Sequence, residues 1–149
     1  MVHWAAAKHI LHYLQGTLDF GLEYVRGDGL RLTSFTDSDW ASFSYDRKST
    51  SGCCFGLGST VVSWFSRKQK SVALSSTEAE YMAASQAGCE AIWLHKILVS
   101  LFGERLEPTV IYCDNQTCIS SRRIQYFMID PSILISDIII YVTMFRGAL

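Results

Sequence analysis

Long apolar runs, proline and any excess of one charge are what this chain has least of. Only 2 prolines occur in 149 residues, and charged residues make up 18% against 49% hydrophobic ones. That composition belongs to a packed domain and excludes a disordered or repeat-rich polymer. The formal net charge is −1, so no global basic field announces a nucleic-acid partner, and any such surface has to be local. The most apolar stretch, Ile133 to Val142, is broken by Ser136 and Asp137 and is too short to span a bilayer, so no membrane partner is expected. The first residues, Met1-Val-His-Trp-Ala-Ala-Ala-Lys, have neither the basic start nor the apolar run of a signal peptide. An intracellular location is the expectation. The 5 cysteines are odd in number and lack metal-ligand spacing, which predicts free thiols in a reducing compartment and argues against zinc.

What is present has the rhythm of an α/β domain. Apolar residues at Trp4, Ile10, Leu11 and Leu14 predict a short amphipathic helix ending before Gly16. Strands are expected at Phe20–Val25, Leu30–Trp40, Gly52–Leu57, Val61–Ser66 and Pro108–Cys113, with a hairpin about Gly58-Ser-Thr. Arg67-Lys-Gln-Lys reads as a basic connector. Ser75-Ser-Thr-Glu78 is a capping box, opening a helix that runs to about Phe102 and stops at Gly103. A further helix is expected from Asn115 to about Ser121. The order implies a mixed sheet of about five strands with helices on both faces.

Three acids stand where acids are unusual. Asp37 lies inside a strand, where aspartate is depleted. Asp114 follows the strand Val110-Ile-Tyr-Cys, at the end beyond which open α/β sheets bind ligands. The helix stripe Ala84, Ala87, Ala91, Leu94, Leu98 and Leu101 extends back one turn to Glu80, so Glu80 is expected to face the sheet, where a lone carboxylate is costly. Each acid has a plainer role available, as a turn cap or as compensation of the helix dipole. Together they favour a divalent-cation site, and hard oxygen donors suit Mg²⁺ or Mn²⁺. Asp39 shares a face with Asp37 as a further participant or a solvated side chain.

The segments Phe35-Thr-Asp-Ser-Asp-Trp-Ala, Asp46-Arg-Lys-Ser-Thr-Ser-Gly, Ser63-Trp-Phe-Ser-Arg-Lys-Gln, Val72-Ala-Leu-Ser-Ser-Thr-Glu-Ala-Glu-Tyr and Cys113-Asp-Asn-Gln closely resemble the RNase H domain of copia-type retrotransposon polyproteins. The match covers about Val2 to Ser121. Residues 1–19 resemble the segment joining reverse transcriptase to RNase H, and residues 20–149 the RNase H-like domain itself. The resemblance implies hydrolysis of the RNA strand of an RNA–DNA hybrid, with Asp37, Glu80 and Asp114 as catalytic metal ligands for two ions. It also gives meaning to Arg47, Lys48, Arg67, Lys68 and Lys70 as phosphate contacts, although solvated loop charges are an equal reading. Trp40 and Trp64 are assigned to base support or, more simply, to core packing.

From residue 122 the chain leaves the family pattern, which there supplies a histidine and a fourth carboxylate. Family codons read one nucleotide late reproduce Ile124 to Pro131 and Ser132 to Ile138. Lys followed by His then yields only Ser or Asn, and Ser132 stands there. His followed by Ile yields only Ile or Thr, and Ile133 stands there. A frameshift near Arg122 is inferred, Asp137 is given no metal role, and little or no hybrid cleavage is expected. Stand-alone fragments resembling this domain include secreted RxLR-type effectors of plant pathogens that act in the cytoplasm or nucleus of host cells. A non-enzymatic role of that kind, or a pseudogene product, is the alternative, although Asp28-Gly-Leu-Arg31 only poorly echoes the motif.

Overall fold

The computed structural model describes residues 2–27, 29–103, 106–113 and 138–142. In chain order the elements are α1 (Val2–Gly16), β1 (Leu32–Asp39), β2 (Thr50–Leu57), β3 (Thr60–Lys68), α2 (Ser76–Phe102), β4 (Thr109–Cys113) and β5 (Ile138–Val142). They build one mixed sheet in the order β3-β2-β1-β4-β5. The first three strands form an antiparallel meander, while β4 runs parallel to β1 and β5 parallel to β4. Antiparallel neighbours need only tight turns, whereas the parallel return to β1 needs a long crossover, and α2 provides it. The fold is the α/β mixed sheet that the sequence predicts.

The count of five strands agrees with expectation, but the membership differs. Phe20–Val25 is not a strand. Its side chains Phe20, Leu22, Tyr24 and Val25 are exposed, and it meets the β2–β3 hairpin through side chains instead of a backbone ladder. The Tyr24 hydroxyl donates to the Val61 carbonyl at 3.0 Å, and the Thr60 hydroxyl donates to the Glu23 carbonyl. The fifth strand comes instead from residues 138–142, inside the stretch that leaves the family pattern. The run Ile-Ile-Ile-Tyr-Val is rich in the β-branched and aromatic residues that favour strands. Its five residues all pair with β4. Arg67 and Lys68, expected in a connector, are the last residues of β3.

One face of the sheet is covered by α2. Alternation puts Leu32 of β1, Cys53 and Phe55 of β2, Phe65 of β3 and Ile111 of β4 into one cluster with Ala87, Ala91 and Leu98 of the helix. Ala79, Ala83, Ala84, Ala87, Gly88 and Ala91 line the buried side of α2, and these small residues let its axis lie close to the strands. Leu101, counted in the expected stripe, is 71% exposed. The reason is length: 27 residues of helix span about 40 Å, while an eight-residue strand spans about 26 Å, so the last turn overhangs. Among the described residues α2 is the helix packed on the sheet. The helix expected at Asn115 to Ser121 lies outside them. The apolar residues of α1, among them Trp4, Ile10 and Leu11, are exposed. No helix among the described residues is long and apolar enough to cross a membrane.

The ends of α2 follow the capping prediction with one shift. The Ser75 hydroxyl accepts from the Glu78 amide at 3.2 Å, but the Glu78 carboxylate reaches past Ser75 to accept from the Leu74 amide at 2.6 Å. Gly103 closes the helix at φ 69°, a left-handed conformation that favours glycine, and donates to the Val99 carbonyl.

The packing separates two leucines one turn apart. Leu98→Ala should lower unfolding free energy by about 2–5 kcal/mol, and Leu101→Ala by less than about 0.5 kcal/mol. Urea denaturation of both variants checks this, and the reverse ranking would mean that α2 presents a different face.

Candidate functional site

Among the described residues the sheet has a notch at one end. Strand β1 pairs with β2 along its whole length, from Leu32↔Leu57 to Asp39↔Thr50. Among the described residues its other neighbour, β4, accompanies it as far as Thr36↔Cys113. Two positions further along β1, the Ser38 amide turns to side chains. It donates to Asp37 Oδ1 at 2.8 Å and to Glu80 Oε1 at 3.2 Å. The two predicted carboxylates therefore converge on one N–H.

They arrive from different directions. Asp37 is on the exposed side of β1, alternating with buried Thr36. Glu80 comes from the second turn of α2 and is 6% exposed. It is buried because Ala79, Ala83 and Ala84 around it bring the helix start down onto the sheet. Two carboxylates brought to one N–H in a partly desolvated notch are an arrangement that a divalent cation suits. The donors are hard oxygens, and the buried Ser38 hydroxyl beside them has no hydrogen-bond partner among the described residues. This set fits Mg²⁺ or Mn²⁺ and does not suit a soft, thiolate-seeking metal. Asp114 is next in the chain after Cys113, the β4 residue paired with Thr36. It lies outside the described residues. Among the described residues no group of three His, Cys, Asp or Glu is close enough to hold a metal. Asp39, exposed at the end of β1, does not complete such a group with Asp37 and Glu80.

The basic residues flank the same end. Registers Asp39↔Thr50 and Thr50↔Lys68 put the end of β3 level with the end of β1. Arg47 and Lys48 belong to the loop between β1 and β2, where Arg47 sits at φ 55°. That loop is closed by the Phe43 amide donating to the Lys48 carbonyl and the Arg47 amide donating to Phe43. Lys68 is engaged within the fold: its Nζ lies 2.6 Å from Asp46 Oδ2 and 4.0 Å from the centre of the Phe43 ring. The hydrogen bond from Lys68 holds the Asp46 carboxyl below the usual carboxylate range. Arg67 covers the Phe65 ring at 4.7 Å, and Lys70 is exposed. Arg47, Lys48 and Lys70 thus remain the better placed of the five for an external phosphate.

The tryptophans depart from the core-packing expectation. Trp64 is 71% exposed because β3 turns Phe65, not Trp64, toward α2. Trp40 is half-exposed, and its indole N–H donates to the Ala73 carbonyl, tying the β1–β2 loop to the approach of α2. Among the described cysteines, Cys53, Cys54 and Cys89 are free. Burial pushes the Cys53 thiol up to about 11, which leaves it without nucleophilic character. A cavity of about 480 Å³ lined by Tyr24, Leu30, Leu57, Thr60 and Phe102 opens at the opposite end of β1, away from the carboxylates.

Gln69 and Ser51, two buried polar residues beside the notch, are not singled out by the sequence. A glutamine between two lysines reads as part of a charged loop, and no periodic signal marks it as 1% exposed.

No family model matches the chain. It is 52% identical over 92 residues to a secreted RxLR effector protein of Plasmopara viticola, which covers 62% of this chain and 65% of the effector. It is 43% identical over 113 residues to the retrovirus-related Pol polyprotein from transposon RE2 of Arabidopsis thaliana, covering 76% of this chain and 8% of that protein. To the corresponding polyprotein from transposon TNT 1-94 of Nicotiana tabacum it is 44% identical over 117 residues, 78% of this chain and 9% of the other. The chain thus spans under two thirds of the effector and under a tenth of either polyprotein. Among solved structures, a Marinitoga piezophila Argonaute in complex with a 5′-OH guide RNA matches 61% of this chain and 13% of its own, at 17% identity and a TM-score of 0.39. Likeness at that level bears on no function. By sequence, over about three quarters of its length, the chain is a relative of the retrovirus-related Pol polyproteins of transposons, in agreement with the copia-type resemblance of its motifs.

Proposed function

We propose that this chain is the RNase H-type part of a transposon Pol polyprotein, descended from an enzyme that cleaves the RNA strand of an RNA–DNA hybrid and now impaired. The observation that carries the reading is the convergence of Asp37 and Glu80 on the Ser38 amide, close to Thr36, whose β4 partner Cys113 immediately precedes Asp114 in the chain. Asp37, Glu80 and Asp114 would hold Mg²⁺ or Mn²⁺. When bound, a pair of such ions supplies the charge stabilisation that in-line displacement at a phosphate needs.

The chain's own residues have separable parts. Asp37 offers an exposed carboxylate at the surface a phosphodiester would approach. Glu80 offers a buried one, fixed in direction by α2. The Ser38 amide orients both. Arg47, Lys48 and Lys70 stand at the same end of the sheet and would meet the hybrid's phosphates, with shape and 2′-hydroxyls rather than base sequence setting preference. Lys68 would act indirectly, holding the β1–β2 loop through Asp46.

Impairment is assigned to the stretch after Arg122. The alignments to the polyproteins run 113 and 117 residues, close to the length of the stretch 2–121 that carries the family motifs. The proposed frameshift removes the family's histidine and fourth acid. A misplacement of about 1 Å costs roughly a hundredfold in rate, so a missing ligand is expected to cost more.

A second reading is favoured by the identity to the secreted effector: a stand-alone, non-enzymatic protein delivered into host cells. The two readings part on the carboxylates. Under the first, activity in any form depends on Asp37 and Glu80. Under the second, a response of plant cells to the expressed chain survives their loss.

Three measurements test these readings. Millimolar Mg²⁺ or Mn²⁺ should raise the melting temperature, with about 2.7 kcal/mol of stabilisation at a hundred times Kd, and Asp37→Asn should abolish the rise. A flat response in a folded sample counts against the metal site. On a labelled RNA–DNA hybrid, the chain should cleave little or nothing, and a frame-restored chain should cut the RNA strand with Mg²⁺. Robust cleavage by the present chain, lost on Glu80→Gln, would refute the impairment. In leaf tissue, the Asp37→Asn, Glu80→Gln double variant should lose any response that depends on nuclease action. A response kept in full would transfer the case to the effector reading.

A further inference from the structure

The buried amide of Gln69 closes a ring of contacts around the carboxylates. Gln69 is 1% exposed and follows the last residue of β3. Its backbone N–H donates to the Ser49 carbonyl at 2.8 Å, which pins it beside the start of β2. Its side-chain Nε2 donates to Ser51 Oγ and to the Ala79 carbonyl, both at 2.9 Å. Ala79 immediately precedes Glu80. Ser51 is the β2 partner of Ser38, whose amide binds Glu80 Oε1. From Ser38 the ring therefore runs across the strand pair to Ser51, through the Gln69 amide to Ala79, and along α2 to Glu80, whose carboxylate returns to Ser38.

We infer that Gln69 is a positioning residue for Glu80. It fixes the height and rotation of the first turns of α2 against β2, and so holds the Glu80 carboxylate at the Ser38 amide next to Asp37. Its action on metal rests on the carboxylate reading above. Its action on Glu80 does not.

Three features support the role. The Ala79 carbonyl is tied by a side chain from another element, so the tie bears on the register of the helix against the sheet. Both Nε2 hydrogens are used, and the acceptors lie on the two elements that must be held together. The alanines of α2 pack closely but are smooth and cannot by themselves lock the helix along or about its axis, whereas a directed pair of hydrogen bonds does.

The test uses the full chain labelled with ¹⁵N. The Ser38 amide proton reports directly on the two carboxylates that accept from it. In Glu80→Gln, which weakens one of the two acceptors, its chemical shift should move away from that of the unaltered chain. Gln69→Met, similar in volume but unable to donate, should move the Ser38 resonance toward its position in Glu80→Gln. Leu98→Ala, which loosens the core far from the notch, should leave it unchanged. If Gln69→Met lowers the melting temperature yet keeps the Ser38 shift of the unaltered chain, Gln69 is merely structural and the inference fails. Should Gln69→Met not fold, Ser51→Ala removes one of the two acceptors and is judged by the same resonance.

Mn²⁺ affinity from water-proton relaxation supplies the second arm. Gln69→Met should bind roughly tenfold more weakly, the usual scale for residues that orient a ligand. No Mn²⁺ binding by the unaltered chain would refute the metal reading alone, with the Ser38 resonance still deciding the role of Gln69.

Discussion

Everything in the site hangs on how close α2 lies to the sheet. A 27-residue helix with alanine and glycine along its buried side approaches the strands more nearly than one lined with leucine, and that approach carries Glu80 into the notch. A carboxylate placed there from a more distant helix would stand off the Ser38 amide and be solvated. The same closeness leaves little room for error, because the alanines offer almost no interlocking shape. The polar ring through Gln69 and Ser51 complements the apolar contact: one sets distance, the other sets register.

The two ends of the sheet differ in kind. At the end marked by Leu57 and Thr60 the environment is an apolar cavity. At the other, Ser38, Ser49, Ser51, Thr36 and Gln69 gather buried or half-buried polar side chains about the carboxylates. Buried hydroxyls and amides are tolerated only where they find partners, and here many find one another. The cation-bearing loop and the β3 end lie at this polar end because the antiparallel meander brings the end of β1, the start of β2 and the end of β3 to one level.

Much of this was legible in the residues. The capping box located the start of α2 to one position, and the 3.6-residue spacing from Ala84 back to Glu80 placed a carboxylate toward the sheet. Asp37 stood out because a strand rarely carries an aspartate. Where reading failed, the cause was a tertiary one. Phe20–Val25 has the composition of a strand, but a strand is made by its neighbour, and side-chain contacts to the hairpin replaced the ladder. Leu101 fits the periodicity, yet periodicity does not know where the sheet ends. Trp64 and Phe65 are equally apolar neighbours, and only the placement of the helix decides which is covered. Gln69 carries no periodic mark, since its burial follows from three segments meeting around it.

The fifth strand has a consequence for how such a chain ages. β5 is made by residues that have left the family pattern, and it is held to β4 by main-chain pairing that any β-branched run can supply. A parallel edge asks little of the side chains that dock on it, whereas a ligand shell demands particular atoms at fixed points. Architecture and chemistry in this domain therefore answer to sequence change at unequal rates. Under the proposed reading, a change late in the reading frame leaves a scaffold that still closes its sheet around an incomplete set of ligands.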